Sequence, residues 1–255
     1  MGETVEINGH PTWVDQRGSG DRTILVMHGG LSNSDALEAL ADILAGHYRV
    51  VAFDRRGHGR TADTDAPFDY DDMATEAIGV LEHVVGGPAH VVGWSDGGIV
   101  GLLVAMRRPD LIDRMAVIGA NFHFDGAMPI NIDPAFFDML RDAYVERSPD
   151  GDAHFDTHVG KAMVLMETAP TLAADDVRTI RTPTLVLVGD DDLITLAHTC
   201  ELYESLPEGQ LAVVPGASHT LPMERPDETA RIISHFFESD LPPATFMPIR
   251  RTPPT

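Results

Sequence analysis

The chain has 255 residues, 43% of them hydrophobic, and a net charge of −22 from 40 acidic against 18 basic side chains. The apolar share excludes a wholly disordered chain. The acidic balance leaves no basic footprint for nucleic acid or for an anionic membrane surface. The longest apolar runs, 24–27 and 185–188, are far too short to cross a bilayer. The first residues lack a basic stretch followed by an apolar one, so no secretory signal is expected. Position 6 is Glu6, which breaks the myristoylation pattern. Cys200 is the single cysteine, so neither an internal disulfide nor a Cys-based zinc framework is available. A cytoplasmic location is the expectation.

In chain order, 4–8 and 11–16 read as two short strands joined at Gly9. Residues 23–27 (TILVM) form a continuous apolar run, as in a strand buried on both faces. The spacing of Leu37, Leu40, Ile43 and Leu44 predicts a helix over 34–44. Strand signals recur at 49–53, 89–93, 114–119, 184–188 and 211–214. Helix signals lie between them at 71–85, 97–106 and 197–205, and a closing helix is predicted over 227–237. The acids Asp69, Asp71 and Asp72 open the helix over 71–85, where negative charge is favoured. The 97–106 helix is apolar nearly all round and should be buried. Such alternation implies a parallel sheet covered by helices, with the opening strand pair as an antiparallel edge.

One stretch breaks the rhythm. Residues 121–181 carry helix signals, best at 136–145 and 158–166, but no buried strand. A structureless loop of that length is improbable in a compact domain. The segment reads as a helical insertion over one end of the sheet. The predicted organisation is therefore a core of 1–120 and 182–239, an insertion of 121–181, and a tail of 240–255 rich in proline (Pro242, Pro243, Pro248, Pro253, Pro254).

The motif that carries chemistry is GWSDGG at 93–98, a G-x-S-x-G between a buried strand and a buried helix. A serine on that sharp turn sits in strained backbone with its hydroxyl exposed above the sheet. Ser95 is the candidate nucleophile. A hydroxyl needs a base, and the base needs an orienting acid. In this architecture the order is Ser, Asp or Glu, then His. The 184–188 strand runs into GDDD at 189–192, and the 211–214 strand runs into a loop ending at His219. Both lie past strand C-termini, where sites collect in open α/β sheets. His219 is the candidate base. Asp192 is the candidate acid, with Asp191 as the alternative and Asp190 as a turn residue. An oxyanion needs two aimed N–H donors. The Asp96 amide, directly after the serine, supplies one. The glycine-rich loop after the 23–27 strand supplies the other through Gly30, or alternatively Leu31. His28 reads as a brace for that loop.

Together HGG at 28–30, FDRRGHGRT at 53–61, GWSDGG at 93–98, GDDD at 189–192 and GASH at 216–219 resemble the α/β-hydrolase fold superfamily over about residues 3–239. The resemblance implies a mostly parallel eight-stranded sheet flanked by helices, with a helical cap inserted after strand 6. GWSDGG with VIGAN at 117–121 is most similar to the biphenyl hydrolase-like, or valacyclovir hydrolase-like, serine hydrolases. In that group the acid after the nucleophile helps select α-amino esters, a role that would fall to Asp96. The simpler reading of Asp96 is that it favours the positive end of the following helix.

The resulting expectation is a serine hydrolase acting on a small carboxylic ester, amide or lactone, with no cofactor and no metal. Its rate should rise as His219 loses a proton. Trp94, Asp96, Leu31 and Phe122 are the expected substrate-binding residues. His123, His154 and His158 read as solvated cap residues. Two alternatives use the same fold: a carbon–carbon bond hydrolase or cofactor-free perhydrolase on the same residues, or a ligand-binding signalling protein with vestigial hydrolysis. Oligomeric state is not encoded in any legible signal.

Overall fold

The computed structural model describes residues 2–129, 134–241, 243 and 245–247. Eight strands form one sheet: β1 (Glu3–Ile7), β2 (His10–Arg17), β3 (Thr23–Met27), β4 (Arg49–Phe53), β5 (Ala89–Trp94), β6 (Ile112–Ile118), β7 (Thr184–Asp191) and β8 (Gly209–Ser218). Their spatial order is β1-β2-β4-β3-β5-β6-β7-β8. The β1–β2 and β2–β4 pairs are antiparallel and every other pair is parallel, so β2 alone runs against the rest.

The apolar runs are continuous because the strands are covered on both faces. Side chains alternate across the pleat. Leu25, Met27, Val51, Phe53, Val91, Met115 and Val117 join one core, and Ile24, Val26, Val50, Ala52, Val92, Ala116 and Ile118 join the other. The first core is closed by α2 (Tyr70–Val80) and α3 (Asp96–Arg107). The second is closed by α1 (Glu38–Leu44) and, at the chain's far end, by α9 (Pro226–Glu238). Asp69 caps α2 by accepting from the amides of Asp71 and Asp72, at 2.8 and 3.1 Å, which accounts for the run of acids there. The α2 helix ends earlier than its periodicity predicts. Residues Leu81–Val85 widen into a π turn before Gly86, which has φ 86°. α3 is buried from Asp96 to Ala105, as its composition predicts.

Between β6 and β7 lie α4 (Pro134–Arg147), α5 (Phe155–Thr168) and the short α6 (Ala174–Val177). After β7 come α7 (Leu196–Ser205) and, following β8, the one-turn α8 (Leu221–Glu224). The sequence signals find α4 and α5 but miss α6 and α8, each of four residues and too short to show a period. The inserted helices are tied to the core by charge. Asp63, its side chain 1% exposed, accepts from Lys161 Nζ at 2.6 Å and His154 Nε2 at 2.9 Å, and Arg147 Nε meets Asp35 Oδ2 at 2.8 Å. His158 is thus not a solvated residue but is buried against the rings of His58, Phe68 and Tyr144, while His154 stays partly exposed and is engaged by Asp63. Of the predicted tail, Pro242, Pro248, Pro253 and Pro254 lie outside the described residues. No helix among the described residues is long and apolar enough to cross a membrane.

Candidate active site

The parallel strands end at one edge of the sheet, and the candidate residues collect there. Ser95 sits between β5 and α3 with φ 53° and ψ −121°, a strained conformation for a residue with a side chain. Its amide donates to the Ile118 carbonyl at 2.8 Å, and its own carbonyl accepts from the Gly98 and Ile99 amides, so the strain is held from both sides. Position 93 must be glycine: a Cβ there would collide with the Gly97 backbone across the turn.

His219, just past β8, places Nε2 3.0 Å from Ser95 Oγ and Nδ1 2.8 Å from Asp192 Oδ1. A carboxylate only accepts, so Nδ1 carries the ring proton and Nε2 accepts from the serine hydroxyl. Asp192 also accepts from the Ile194 amide at 2.8 Å, which fixes its rotamer, and its Oδ2 is buried without a protein partner. The neighbouring acids face elsewhere. Asp191 pairs with Ser218 in the β7–β8 ladder with an exposed side chain, and Asp190 accepts from the Gly216 amide at 2.6 Å. Gly119, with φ 55°, lies under this pair, where a Cβ would stand 2.9 Å from His219 Nδ1. This arrangement can pass a proton from a hydroxyl to an imidazole whose cation faces a carboxylate.

Asp96 is the first residue of α3, where the helix geometry leaves an amide without an internal acceptor. Gly30 and Leu31 flank the same space, and Leu31 adopts φ 49° to make the turn. His28 is a brace as predicted, bonded to the Gly29 carbonyl and the Arg55 amide. Trp94 lines the cavity and its Nε1–H donates to the His219 carbonyl at 2.7 Å, so it also holds the histidine loop. Phe122 is a correction. It is buried 4.2 Å from the His198 ring in a stacked pair and does not belong to the cavity wall. An apolar residue at a strand end can turn to either side, and here the ring partner on α7 captures it.

The cavity above Ser95 has a volume of about 910 Å³. Ser95, Asp96, His219 and Tyr70 form its floor side, and Phe136, Leu140, Tyr144, Phe155 and Met166 of the inserted helices contribute apolar walls. Tyr70 was not singled out in the sequence. Its hydroxyl donates to Asp96 Oδ1 at 2.8 Å, and burial together with the Asp96 charge raises it well above its ordinary range. Burial raises the Asp96 carboxyl, against the opposing pull of the Arg55 charge and the Tyr70 hydrogen bond. Tyr70 and Arg55 lie 26 and 41 residues from Asp96, so no local pattern links them. Among the described residues no group of three His, Cys, Asp or Glu side chains could hold a metal ion.

Comparison with known proteins identifies the family and the fold. Residues 24–232 match the alpha/beta hydrolase family. The chain is 29% identical over 248 residues to RutD of Agrobacterium fabrum, covering 84% of this chain and 92% of that one. It is 24% identical over 262 residues to the human serine hydrolase BPHL, covering 92% and 85% of the two chains. Among solved structures, a meta-cleavage product hydrolase from Pseudomonas fluorescens IP01 superposes with a TM-score of 0.79 at 22% identity, covering 93% of this chain and 97% of that one, which speaks for the fold. With the sheet order, the match over 24–232 shows that the chain belongs to the alpha/beta hydrolase family and is an enzyme, a serine hydrolase of that fold.

Proposed function

We propose that the protein hydrolyses a small carboxylic ester through an acyl-enzyme on Ser95. The observation that carries this reading is the hydrogen-bond chain Ser95 Oγ, His219, Asp192, opening on a capped, largely apolar cavity. Ser95 Oγ attacks the carbonyl carbon as its proton passes to His219 Nε2. Asp192 stabilises the imidazolium that forms. The amides of Gly30 and Asp96 receive the tetrahedral oxyanion. The bond to the leaving alkoxide breaks, and the proton held by His219 goes to that oxygen. Water, deprotonated by His219, then adds to the acyl carbon; the bond from that carbon to Ser95 Oγ breaks, His219 returns its proton to Oγ, and the carboxylic acid leaves.

Asp96 gives the reading a finer edge. Asp96 lines the cavity beside the serine and is 4% exposed, which supports a preference for an ester bearing an α-ammonium group over the neutral analogue. Tyr70 and Arg55 dilute the Asp96 charge, which limits the preference to roughly tenfold, about 1.4 kcal/mol. The preference holds above the raised Asp96 titration and fades as pH falls through it.

The test is a side-by-side assay of p-nitrophenyl acetate, p-nitrophenyl butyrate and an α-amino acid ester on wild type, Ser95→Ala and Asp96→Ala. Turnover by wild type and loss in Ser95→Ala is the expected result. A Ser95→Ala variant with wild-type turnover sinks the acyl-enzyme. Selective loss of the amino ester in Asp96→Ala places the ammonium at that carboxylate. Peracid or a carbon fragment among the products, in place of acid plus alcohol, moves the enzyme to the perhydrolase or carbon–carbon class.

A further inference from the structure

Arg55 is the largest fully buried side chain described, with 0% exposure; the Asp96, Glu76 and Asp54 charges favour its cation, but it makes no direct ion pair among the described residues. Burying a cation without a direct partner is costly. Its guanidinium instead donates to two consecutive carbonyls, His28 at 2.5 Å and Gly29 at 3.0 Å, while Nε has no partner. His28 closes the loop. The Arg55 amide donates to His28 Nε2 at 3.2 Å, which puts the ring proton on Nδ1, and Nδ1–H donates to the Gly29 carbonyl at 2.7 Å. Burial, reinforced by the Arg55 charge, holds the ring well below its usual range, so it stays neutral and keeps that tautomer.

The Gly29 carbonyl therefore receives two N–H donors. That carbonyl shares one planar trans peptide with the Gly30 N–H, and the two point in opposite directions. Pinning the oxygen toward Arg55 sends the Gly30 N–H the other way, into the cavity that Gly30 and Ser95 both line. Among the described residues the Gly30 amide donates to no protein acceptor. The peptide runs directly beside the serine, since a Cβ on Gly29 would stand 3.3 Å from Ser95 Cβ. Donors on the carbonyl also polarise the peptide and strengthen its N–H.

We propose that Arg55 and His28 are positioning residues for the oxyanion, acting through the Gly29–Gly30 peptide to aim the Gly30 N–H at the developing negative charge. The inference rests on the acyl-enzyme reading above.

The test uses p-nitrophenyl butyrate turnover and the affinity for n-butylboronic acid, which adds to a serine hydroxyl as a tetrahedral anion. Arg55→Met should lower kcat about 10²-fold, the scale of one lost oxyanion donor. Its KM should stay within about twofold, and boronate affinity should fall in the same proportion as kcat. Arg55→Lys keeps the charge but cannot fork to both carbonyls, so it should recover part of the loss, to about tenfold below wild type. His28→Ala removes the other donor and should weaken boronate binding as well. A folded Arg55→Met with boronate affinity within threefold of wild type overturns the proposal. If Arg55→Met fails to fold, unchanged boronate affinity in Arg55→Lys and His28→Ala overturns it equally. A Ser95→Ala control that still binds boronate and turns over ester overturns the acyl-enzyme reading instead.

Discussion

Replacing Asp192 by asparagine separates charge from shape at the base of the hydrogen-bond chain. Oδ1 accepts from both His219 Nδ1 and Ile194 N, each at 2.8 Å. An asparagine that keeps its carbonyl oxygen there preserves both bonds, and its amide nitrogen takes the place of Oδ2, which is buried and has no protein partner. The negative charge opposite the imidazolium is what disappears. A unit charge about 4 Å from the imidazolium centre, at an effective dielectric constant of about 20, contributes about 4 kcal/mol. At about 1.4 kcal/mol per decade this predicts a kcat lower by about 10³, with KM little changed. Thermal stability should hold within a few degrees, because the same change removes a buried charge along with its stabilising pair. The assay is steady-state hydrolysis of p-nitrophenyl butyrate together with a melting curve. A folded Asp192→Asn enzyme retaining more than a tenth of wild-type kcat would rule out this electrostatic role. A 10³-fold loss in Asp191→Asn, with Asp192→Asn intact, would move the role to the neighbouring acid.

Trp94→Phe removes the donor on the His219 carbonyl, a bond of 2.7 Å. At about 1 kcal/mol for such a bond, kcat should fall roughly fivefold with KM nearly constant; unchanged kinetics would show that the histidine loop is held by other contacts. Lys161→Met removes the lysine cation on buried Asp63 and leaves the His154 hydrogen bond and Arg56. Full rupture of a buried pair costs about 3–5 kcal/mol, so with two partners left about 2 kcal/mol is expected, or a melting point roughly 4–8 °C lower. Burial alone would raise the Asp63 carboxyl, but Lys161 and His154 hold it below its usual range. The contribution is therefore present at neutral pH and disappears as pH falls through that depressed value, and equal melting of variant and wild type at pH 7 would remove Lys161 as an anchor. Glu76 behaves with the opposite sign. Burial raises its carboxyl from 4.5 to about 7, so the folded chain keeps a proton that the unfolded chain releases. Stability should fall as pH climbs from about 4.5 to 7, by on the order of 3 kcal/mol, and level off above. Urea unfolding of wild type and Glu76→Gln across that range checks it: an identical slope in both clears Glu76 of the effect.

The sheet and its connections were legible along the chain. Strands buried on both faces leave uninterrupted apolar runs such as 23–27 and 184–188, and helices between them leave a period near 3.6. The sequence also singled out Ser95 as the candidate nucleophile, because the glycine-flanked turn is a local device written in six consecutive residues. His219 and Asp192 were legible from their places after the last two strands. Which side chains turn toward one another was settled by packing between elements. The choice among Asp190, Asp191 and Asp192 depends on the β7–β8 register and a two-residue turn, since neighbouring side chains in a strand face opposite ways. Phe122 stacks on His198, and His158 joins a buried ring cluster, because partners far along the chain claimed them. The Tyr70–Asp96 bond and the Arg55 clamp on residues 28 and 29 join segments that only the folded sheet brings together. Sequence periodicity reports burial, which one face of one element can show. Directed contacts between elements are fixed by packing, and no window along the chain contains both partners.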